Sequence, residues 1–316
     1  MVVSAAVDTS FAALGTTVRL LLDGDGAQEA AAAARRWIGA FDACASRFRA
    51  DSELSRLNAD PRERVPVSPL LAAAIGAGAW AAQRTGGLVD PVLVDALQAG
   101  GYAGRWDPAR AMDLRTALDA APARRPAAAD PGGRWRAVHA DGDAGVVTRP
   151  GGLHLDTGGT GKGLAADALL HVVGPRRAVI DLGGDIALSP GPADPRPFEV
   201  EVTDPFSRRT SHVLSITAGA VATSGIDARL WAGPDGPSHH LLDPSTGRPA
   251  WTGIVSVTAL APTVLEAEVL AKAALLSGPA GAAPWLAEHG GLVVHDDGEV
   301  RAVGPLAARA PAAVIA

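Results

Sequence analysis

Cysteine is almost absent from this chain, and basic residues are never clustered. The single cysteine, Cys44, cannot form an intrachain disulfide, so the sequence is not that of a small secreted domain built on disulfides. Cys44 lies in an apolar pattern with helical spacing, and we predict a buried structural thiol. Lysine and arginine form no block longer than pairs such as Arg124-Arg125, and the formal net charge is -6. We therefore expect no nucleic-acid partner.

Long hydrophobic runs are also missing. The longest apolar run, residues 70–82, is rich in alanine and too short to span a bilayer. Residues 1–15 have no basic start and no long apolar run, and Asp8 comes early, which is not the pattern of a signal peptide. The sequence therefore predicts no membrane anchor and a cytoplasmic location.

Apolar residues are nevertheless plentiful. They make up 47% of the 316 residues, enough for one large core or two modest ones. Strand patterns occur in antiparallel-looking groups with helices inserted between them, which favours an α+β fold over a doubly wound sheet. Residues 121–133 are rich in proline and alanine and lack periodicity, which predicts an exposed loop. We expect this loop to lie within a single domain that spans residues 1–316.

Hydrophobic periodicity places the individual elements. We predict strands at residues 16–22, 135–139, 145–149, 153–155, 177–182, 198–203, 212–217, 253–260, 291–295 and 300–303. We predict helices at residues 27–46, 68–84, 108–118, 162–173 and 263–277. Ser52 and Ser68 are typical N-cap residues, and each is expected to begin a helical segment.

A glycine-rich stretch with one lysine, LDTGGTGKGLAAD at residues 155–167, has the composition of a phosphate-binding loop. A P-loop requires Gly-x-x-x-x-Gly-Lys-Ser/Thr, but Asp156 replaces its first glycine and Gly163 replaces its hydroxyl residue, which disfavours a P-loop NTPase. Glycines still allow close backbone approach, and a helix N-terminus offers N–H groups to an anion, with Lys162 as a point charge. On spacing alone, a glycine-rich turn with a solvated lysine explains the stretch equally well.

Two further stretches are ambiguous by themselves. VIDLGGDI, at residues 179–186, ends an apolar strand in two glycines, which suits a tight turn or a close approach to a ligand. VATSGIDARLW, at residues 221–231, places Thr223 and Ser224 beside a glycine. Two neighbouring hydroxyls suit phosphate or sugar binding, and they also suit an ordinary turn.

Two adjacent histidines occur in SHHLLDPSTGRP, at residues 238–249. In an extended chain His239 and His240 point to opposite faces, so only one of them is expected to face a site. A lone histidine is more often structural than catalytic. Asp243 and a hydroxyl-rich turn follow closely, however, and imidazole can transfer protons near neutral pH.

The helix in PTVLEAEVLAKAALLS, at residues 262–277, carries Glu268 and Lys272 four residues apart. Such a pair is common on helix surfaces and contributes only about 0.2–0.5 kcal/mol. Most of this helix is apolar, however, and a carboxylate on a buried helix can ligate a hard cation such as magnesium.

Taken in order, these stretches resemble the ApbE family, the FAD:protein FMN transferases. The resemblance starts at FAALGT (11–16) and continues through FRADSELSRLN (48–58) and GGLVDP (86–91). It then includes the five stretches described above and extends to Gly278. It implies an ApbE-like, T-fold-related α+β domain of mixed antiparallel sheets with inserted helices.

The resemblance also implies an activity and a set of residues. Members of the family use FAD and magnesium to attach FMN, through a phosphoester, to a threonine of a client flavoprotein, and AMP leaves. It implies catalytic roles for Lys162, His240 and Asp243, and magnesium ligation by the carbonyl of Gly161 and by Glu268. It implies flavin or nucleotide contacts at Leu14, Phe48, Leu88, Val89, Asp90, Asp156, Lys162, Thr223, Ser224 and His240.

The chain departs from the family pattern at two places. The family usually has methionine at the position of Leu14. It also has an aspartate and, four residues later, a threonine as magnesium ligands, where this chain has Glu268 and Lys272. A protonated lysine cannot be a ligand, but its ammonium can pair with Glu268 and neutralise the pyrophosphate without an ion. The alternative functions are an FAD-binding protein and an FAD pyrophosphatase without transfer to protein.

Overall fold

The computed structural model describes residues 7–192, 194 and 196–308. Its strands are β1 (Val7–Ala13), β2 (Thr16–Leu22), β3 (Arg64–Pro66), β4 (His139–Asp141), β5 (Val146–Thr148), β6 (Arg177–Leu182), β7 (Ile186–Pro190), β8 (Phe198–Thr203), β9 (Thr210–Ile216), β10 (Gly219–Gly225), β11 (Leu230–Gly233), β12 (Gly236–His239), β13 (Leu242–Asp243), β14 (Arg248–Pro249), β15 (Ile254–Ala261), β16 (Gly291–His295) and β17 (Val300–Val303). Its α-helices are α1 (Ala27–Ala45), α2 (Glu53–Ala59), α3 (Pro69–Arg84), α4 (Val94–Ala99), α5 (Leu114–Ala120), α6 (Gly161–Val173), α7 (Val264–Gly281) and α8 (Ala283–Leu286). Short 3-10 helices cover Pro108–Arg110, Arg134–Ala137 and Gly304–Leu306.

An eight-stranded sheet in the order β1-β2-β6-β7-β10-β15-β16-β17 forms the centre of the fold. Every neighbouring pair in it is antiparallel. In β2, the buried residues Val18, Leu20 and Leu22 alternate with more exposed ones, as the period of a strand requires. The structure thus confirms the predicted α+β fold with antiparallel sheets and inserted helices.

Helices cover one face of this sheet and a hairpin covers the other. On the first face, α6 packs between α1 and α7, and α7 lies against β10 and β15. Asp167 of α6 accepts hydrogen bonds from the amides of Val264 and Leu265, at 2.8 and 3.0 Å, which fixes the start of α7 against α6. On the opposite face, Phe198 of the β8–β9 hairpin packs in a cluster with Leu188 of the sheet.

A smaller sheet, in the order β3-β5-β4, packs beside α3 around a second apolar cluster. Cys44 lies in this cluster and is buried, as the sequence predicts. The buried guanidinium of Arg149 donates to the carbonyls of Leu57 and Asp60 at 2.6 and 2.8 Å, which ties β5 to the end of α2. The second apolar cluster also contains Val92, so the small sheet and α3 position the loop that follows α3.

Most of the sequence predictions for individual elements are confirmed. Strands β2 and β6 have the predicted bounds. Ser52 and Ser68 cap α2 and α3, because their hydroxyls accept from the amides of Ser55 and Leu71 at 3.0 and 3.2 Å. The two predicted strand pairs near residues 198–217 and 291–303 are antiparallel hairpins.

Three predictions for short elements are wrong. Residues 135–139 were expected to be a strand, but Arg134–Ala137 is a 3-10 helix and β4 begins only at His139. Residues 153–155 form no strand. The helix expected at 108–118 is divided into a 3-10 turn and α5, since Asp107 and Asp113 each cap a separate segment. Short apolar runs do not distinguish strand from helix by their period, which explains the error at residues 135–139.

Residues 121–133 contain no helix or strand. The segment is nevertheless attached to the rest of the fold. Backbone amides of Arg125 and Ala127 donate to the carbonyls of Trp251 and Leu276 at 3.0 and 2.8 Å. Within the described residues, none of the helices combines the length and the apolar composition that a bilayer crossing requires.

Candidate functional site

A cavity of about 390 Å³ opens at the N-terminal turn of α6. The turn between β1 and β2, the loop after α3, the end of β10 and the segment between β12 and β13 complete its wall. Cavities of this size bind small molecules. Of the residues singled out from the sequence, those that line it are Leu14, Phe48, Leu88, Val89, Asp90, Asp156, Gly161, Lys162, Thr223, Ser224, His240, Glu268 and Lys272. Asp243 does not line it.

The β1–β2 turn presents Leu14 to the cavity in an unusual backbone conformation. Leu14 and Gly15 have φ angles of 52° and 70°, in the left-handed region. A residue with a side chain rarely adopts this conformation unless neighbouring groups hold it. The amide of Leu14 donates to Oδ1 of Asp42 at 3.2 Å, so α1 fixes the turn.

Four charged side chains of alternating sign form a chain along one wall of the cavity. Asp185 is the last residue of the turn between β6 and β7. Its carboxylate pairs with Nζ of Lys162 at the start of α6. Nζ of Lys162 lies 3.8 Å from Oε1 of Glu268. The same oxygen accepts from Nζ of Lys272 at 2.9 Å. We call these four residues the ion-pair chain.

The ion-pair chain presents its cations to the cavity and keeps its anions behind them. The side chains of Asp185 and Glu268 are each 1% exposed, whereas those of Lys162 and Lys272 are 21% and 13% exposed. A ligand therefore meets ammonium groups first. Because a positive wall attracts negative ligands, this side of the cavity favours an anion.

Burial and pairing oppose each other in these groups. Burial alone would lower the pKa of Lys162, but the charges of Asp185 and Glu268 outweigh it and raise that pKa. Burial raises the pKa of Asp185 to about 6, against the opposing effect of Lys162. Burial also acts to raise the pKa of Glu268, but Lys272 and Lys162 hold it below its usual value. Lys162 and the two carboxylates are therefore charged at neutral pH.

The first turn of α6 is closed by a protein carboxylate. The amide of Gly163 donates to Oε2 of Glu268 at 2.9 Å. The expectation of free amides at this helix start is therefore wrong for Gly163. A Cβ at Gly163 would lie 2.7 Å from Cα of Leu265 and 2.8 Å from Oε2 of Glu268. The serine or threonine of a P-loop would not fit here, because α7 packs directly against this position.

The residues present do not fit a magnesium ion. Each oxygen of Glu268 already accepts from a protein donor, Lys272 or Gly163. In the part of the chain that the structure describes, no group of three or more His, Cys, Asp or Glu residues is arranged to hold a metal. A divalent ion at Glu268 would also meet the ammonium groups of Lys162 and Lys272, which already compensate this carboxylate.

The two neighbouring histidines have different environments. His239 is fully buried, packs edge-on against Trp251 and accepts from the amide of Leu241 at 3.3 Å. His240 lines the cavity, and its Nδ1 has no hydrogen-bond partner among the described residues. Burial, together with the charge of Arg229, lowers the pKa of His240 well below its usual value. His240 is therefore a neutral imidazole near pH 7.

Asp243 holds the turn that follows the histidines. Its Oδ1 accepts from the amide and hydroxyl of Ser245 at 3.0 and 2.7 Å, and from the amide of Ala128 at 3.1 Å. Its side chain is 7% exposed. This aspartate thus joins residues 121–133 to the Pro-Ser-Thr-Gly turn, and the structure places it behind the cavity wall.

Arg47 and Tyr102, which were not predicted from the sequence, form a second wall with the predicted Phe48. The guanidinium of Arg47 lies 4.1 Å from the ring centroid of Phe48 and 4.7 Å from that of Tyr102. Its Nε is 3.4 Å from Oδ2 of Asp156. Tyr102 in turn packs against Trp231 with ring centroids 5.5 Å apart. We call this group the aromatic wall, and only the adjacent Arg47-Phe48 pair could have indicated it.

Asp90 is the least compensated carboxyl in the cavity. Its Oδ1 accepts from the amide of Val92 at 2.9 Å, but its Oδ2 is buried and has no partner among the described residues. Burial raises the pKa of Asp90 to about 6, with a smaller contribution from Asp130. Asp90 can therefore carry a proton in mildly acidic solution.

Comparison with known proteins assigns the chain to a family. The model of the ApbE family matches residues 14–295, and the chain belongs to this family. It is similar to the FAD:protein FMN transferase of Treponema pallidum, with 32% identity over 167 residues that make up 48% of this chain and 46% of the relative. It is also similar to the FAD:protein FMN transferase of Escherichia coli K12, with 30% identity over 40% of this chain and 38% of the relative. The match spans less than half the length of these curated relatives.

Solved structures extend the likeness to nearly the whole chain at the level of the fold. The ApbE protein of Thermotoga maritima superposes with a TM-score of 0.76 at 24% identity, covering 94% of this chain and 96% of that one. The flavin transferase ApbE of Vibrio cholerae superposes with a TM-score of 0.70 at 20% identity, covering 94% and 96%. These structures confirm the fold, and the match of the family model confirms the sequence-based identification of the family.

Proposed function

We propose that this protein transfers the FMN moiety of FAD to a threonine hydroxyl of a client flavoprotein and releases AMP. Curated relatives that carry the name FAD:protein FMN transferase support the proposal. The observation that carries it is the wall on which Lys162 and Lys272 face the cavity while Asp185 and Glu268 lie behind them. Such a wall suits the diphosphate of a dinucleotide.

The proposed reaction is a displacement at the FMN-side phosphorus of FAD. The threonine oxygen forms a bond to this phosphorus, and the bond between the phosphorus and the bridging oxygen breaks. AMP leaves with the electron pair of that bond, and the hydroxyl proton of threonine passes to a base or to solvent. Charge that develops on the diphosphate is neutralised by Lys162 and Lys272, which are already held in place by their carboxylate partners.

His240 is the proposed group beside the reacting hydroxyl. Its imidazole lines the cavity and is neutral near pH 7, so it can accept a hydrogen bond from a hydroxyl. Asp243 does not touch the cavity. We propose that Asp243 contributes by holding the turn after His240, and that it makes no contact with FAD.

The aromatic wall and the β1–β2 turn are proposed to hold the two ring systems of FAD. Leu14, Phe48 and the segment Leu88 to Asp90 offer apolar surface on one side, and Tyr102 lies next to the guanidinium of Arg47. Thr223 and Ser224 offer hydroxyls at the end of β10. Planar rings gain from stacking on aromatic side chains and on guanidinium groups.

Magnesium is the other component that the family resemblance implies. Magnesium prefers oxygen ligands in near-octahedral geometry, and Lys272 places an ammonium where such a ligand would be needed. The residues here do not fit the ion, and no step above uses it.

The test is incubation of the purified protein with FAD and a threonine-bearing client peptide. We expect AMP release together with the mass of FMN added to the peptide. A Lys162→Met variant should lose this activity, whereas Arg49→Lys, at a half-buried position outside the cavity wall, should retain it. Free FMN and AMP without peptide modification would indicate a pyrophosphatase, and bound intact FAD without AMP would indicate a binding protein.

A further inference from the structure

Lys162 and Lys272 are the only two lysines in the sequence. All the other Lys/Arg positions are arginine. Lys162 comes from the start of α6 and Lys272 from the middle of α7, yet both approach the same oxygen of Glu268. A compact ammonium fits between two closely packed helices, whereas a planar guanidinium needs more room. The two lysines are thus concentrated at one site in a chain that otherwise uses arginine.

Lys272 occupies the direction from which a cation would approach Glu268. It donates to Oε1 at 2.9 Å, while Gly163 donates to Oε2 at 2.9 Å from the opposite helix. The carboxylate is 1% exposed, so it offers no free oxygen to the cavity. An ammonium has more than one N–H donor, and the donors of Lys272 that do not bind Glu268 remain for a ligand.

From this arrangement we infer that the ammonium of Lys272 takes the place of a divalent cation. FAD is then bound through its diphosphate by Lys162 and Lys272 without a metal ion. This inference rests on the proposed binding of FAD and adds that the positive charge required at the site is part of the chain. Charge-assisted hydrogen bonds from two ammonium groups supply the neutralisation that a metal ion would otherwise provide.

The presence of only two lysines allows a direct test on the wild-type protein. With lysine labelled by ¹⁵N at Nζ, the ammonium spectrum contains signals from Lys162 and Lys272 alone. Addition of FAD in the presence of a chelator should shift both signals. Addition of magnesium to the ligand-free protein should shift neither. Calorimetry should give an FAD dissociation constant that changes by less than about threefold between chelator and magnesium.

Two variants at one position sharpen the test. Lys272→Thr removes the ammonium and introduces a ligand oxygen, so FAD affinity in chelator should fall by about 10-fold or more. Magnesium should then restore it. Lys272→Met is the matched control, because it removes the ammonium without supplying a ligand oxygen, so its FAD affinity should also fall and magnesium should not restore it. If Lys272→Thr does not fold, the wild-type measurements decide the matter by themselves.

The outcomes separate this inference from the proposed function. Wild-type FAD affinity that falls about 10-fold or more on chelation would overturn the inference and leave the proposed function intact. A magnesium-induced shift of the Lys272 signal in the ligand-free protein would do the same. Failure of FAD to bind under either condition would overturn both.

Discussion

Nζ of Lys272 lies 2.9 Å from Oε1 of Glu268, one helical turn away on α7. The same pair on a helix surface would contribute only about 0.2–0.5 kcal/mol. Here Glu268 is 1% exposed and also lies 3.8 Å from Nζ of Lys162. Its charge therefore compensates two cations that have lost part of their hydration. Removal of this charge should lower the stability of the protein by more than the loss of a surface pair would.

Glu268→Gln should destabilise the protein by about 3–5 kcal/mol, since it leaves two partly buried ammonium groups with one carboxylate between them. The measurement is the free energy of unfolding in urea at neutral pH. Glu266→Gln, on the same helix but without an ion pair among the described residues, is the control and should change stability by no more than about 0.5 kcal/mol. Equal effects of the two substitutions would contradict the role given to Glu268.

Gly163→Ala tests the close contact between α6 and α7. The added Cβ would lie 2.7 Å from Cα of Leu265, so the helices must separate, and we expect a loss of about 1–3 kcal/mol. Gly159→Ala is the matched control, because the nearest atom to a Cβ there is Cγ1 of Val89 at 4.0 Å. Thermal unfolding of both variants checks the difference. A Gly163→Ala protein as stable as the control would mean that the helices are not in contact there.

The sequence was sufficient for those parts of the fold that depend on local pattern. The bounds of β6 follow from an apolar strand that ends in glycines, and the starts of α2 and α3 follow from the capping serines. These features depend on residues that are close in the chain. The 3-10 helix at Arg134–Ala137 could not be predicted, because its short apolar run also suits a strand.

The cavity could be predicted only as a set of motifs. The spacing of Glu268 and Lys272 indicated their pairing, but the approach of Lys162 to Asp185 depends on how the β6–β7 hairpin packs against α6. Similarly, Tyr102 and Trp231 meet although they are distant in sequence. Long-range contacts of this kind carry no local signal, so the sequence analysis named neither residue as part of the site.

Asp90→Asn should stabilise the ligand-free protein at neutral pH and have little effect in acid. Burial raises the pKa of Asp90 from 3.8 to about 6, so the native state resists ionisation that the unfolded chain undergoes. Wild-type stability is therefore lost as the pH rises from about 4 to 6, by on the order of 1–3 kcal/mol. Urea unfolding of the wild type and the variant at about pH 4 and about pH 7.5 measures the difference in their free energies of unfolding. The exposed Asp143→Asn should give no such difference between the two pH values.

His239→Phe should reduce the sensitivity of the fold to acid. Burial lowers the pKa of His239 from 6.5 to about 3, so the unfolded chain binds a proton that the native state does not. Wild-type stability is therefore lost as the pH falls from about 6.5 towards 3, by up to about 5 kcal/mol. Phenylalanine keeps the packing against Trp251 and cannot be protonated, so this loss of stability in acid should disappear. His139→Gln, at an exposed site, is the control, and acid unfolding midpoints that move equally in both variants would contradict the assignment.

Arg47→Lys tests whether the aromatic wall acts through the shape of the guanidinium or through charge alone. Arg47 lies 4.1 Å above Phe48, 4.7 Å from Tyr102 and 3.4 Å from Asp156, so it stacks and pairs at once. Lysine keeps the charge but loses the planar stack, and FAD affinity should fall by about 10-fold. Quenching of flavin fluorescence measures the affinity. Arg49→Lys, where the arginine pairs with the exposed Asp51, is the control. Unchanged FAD affinity in Arg47→Lys would mean that the positive charge alone is sufficient. A loss of affinity in Arg47→Met but not in Arg47→Lys would then confirm that Arg47 acts through its charge.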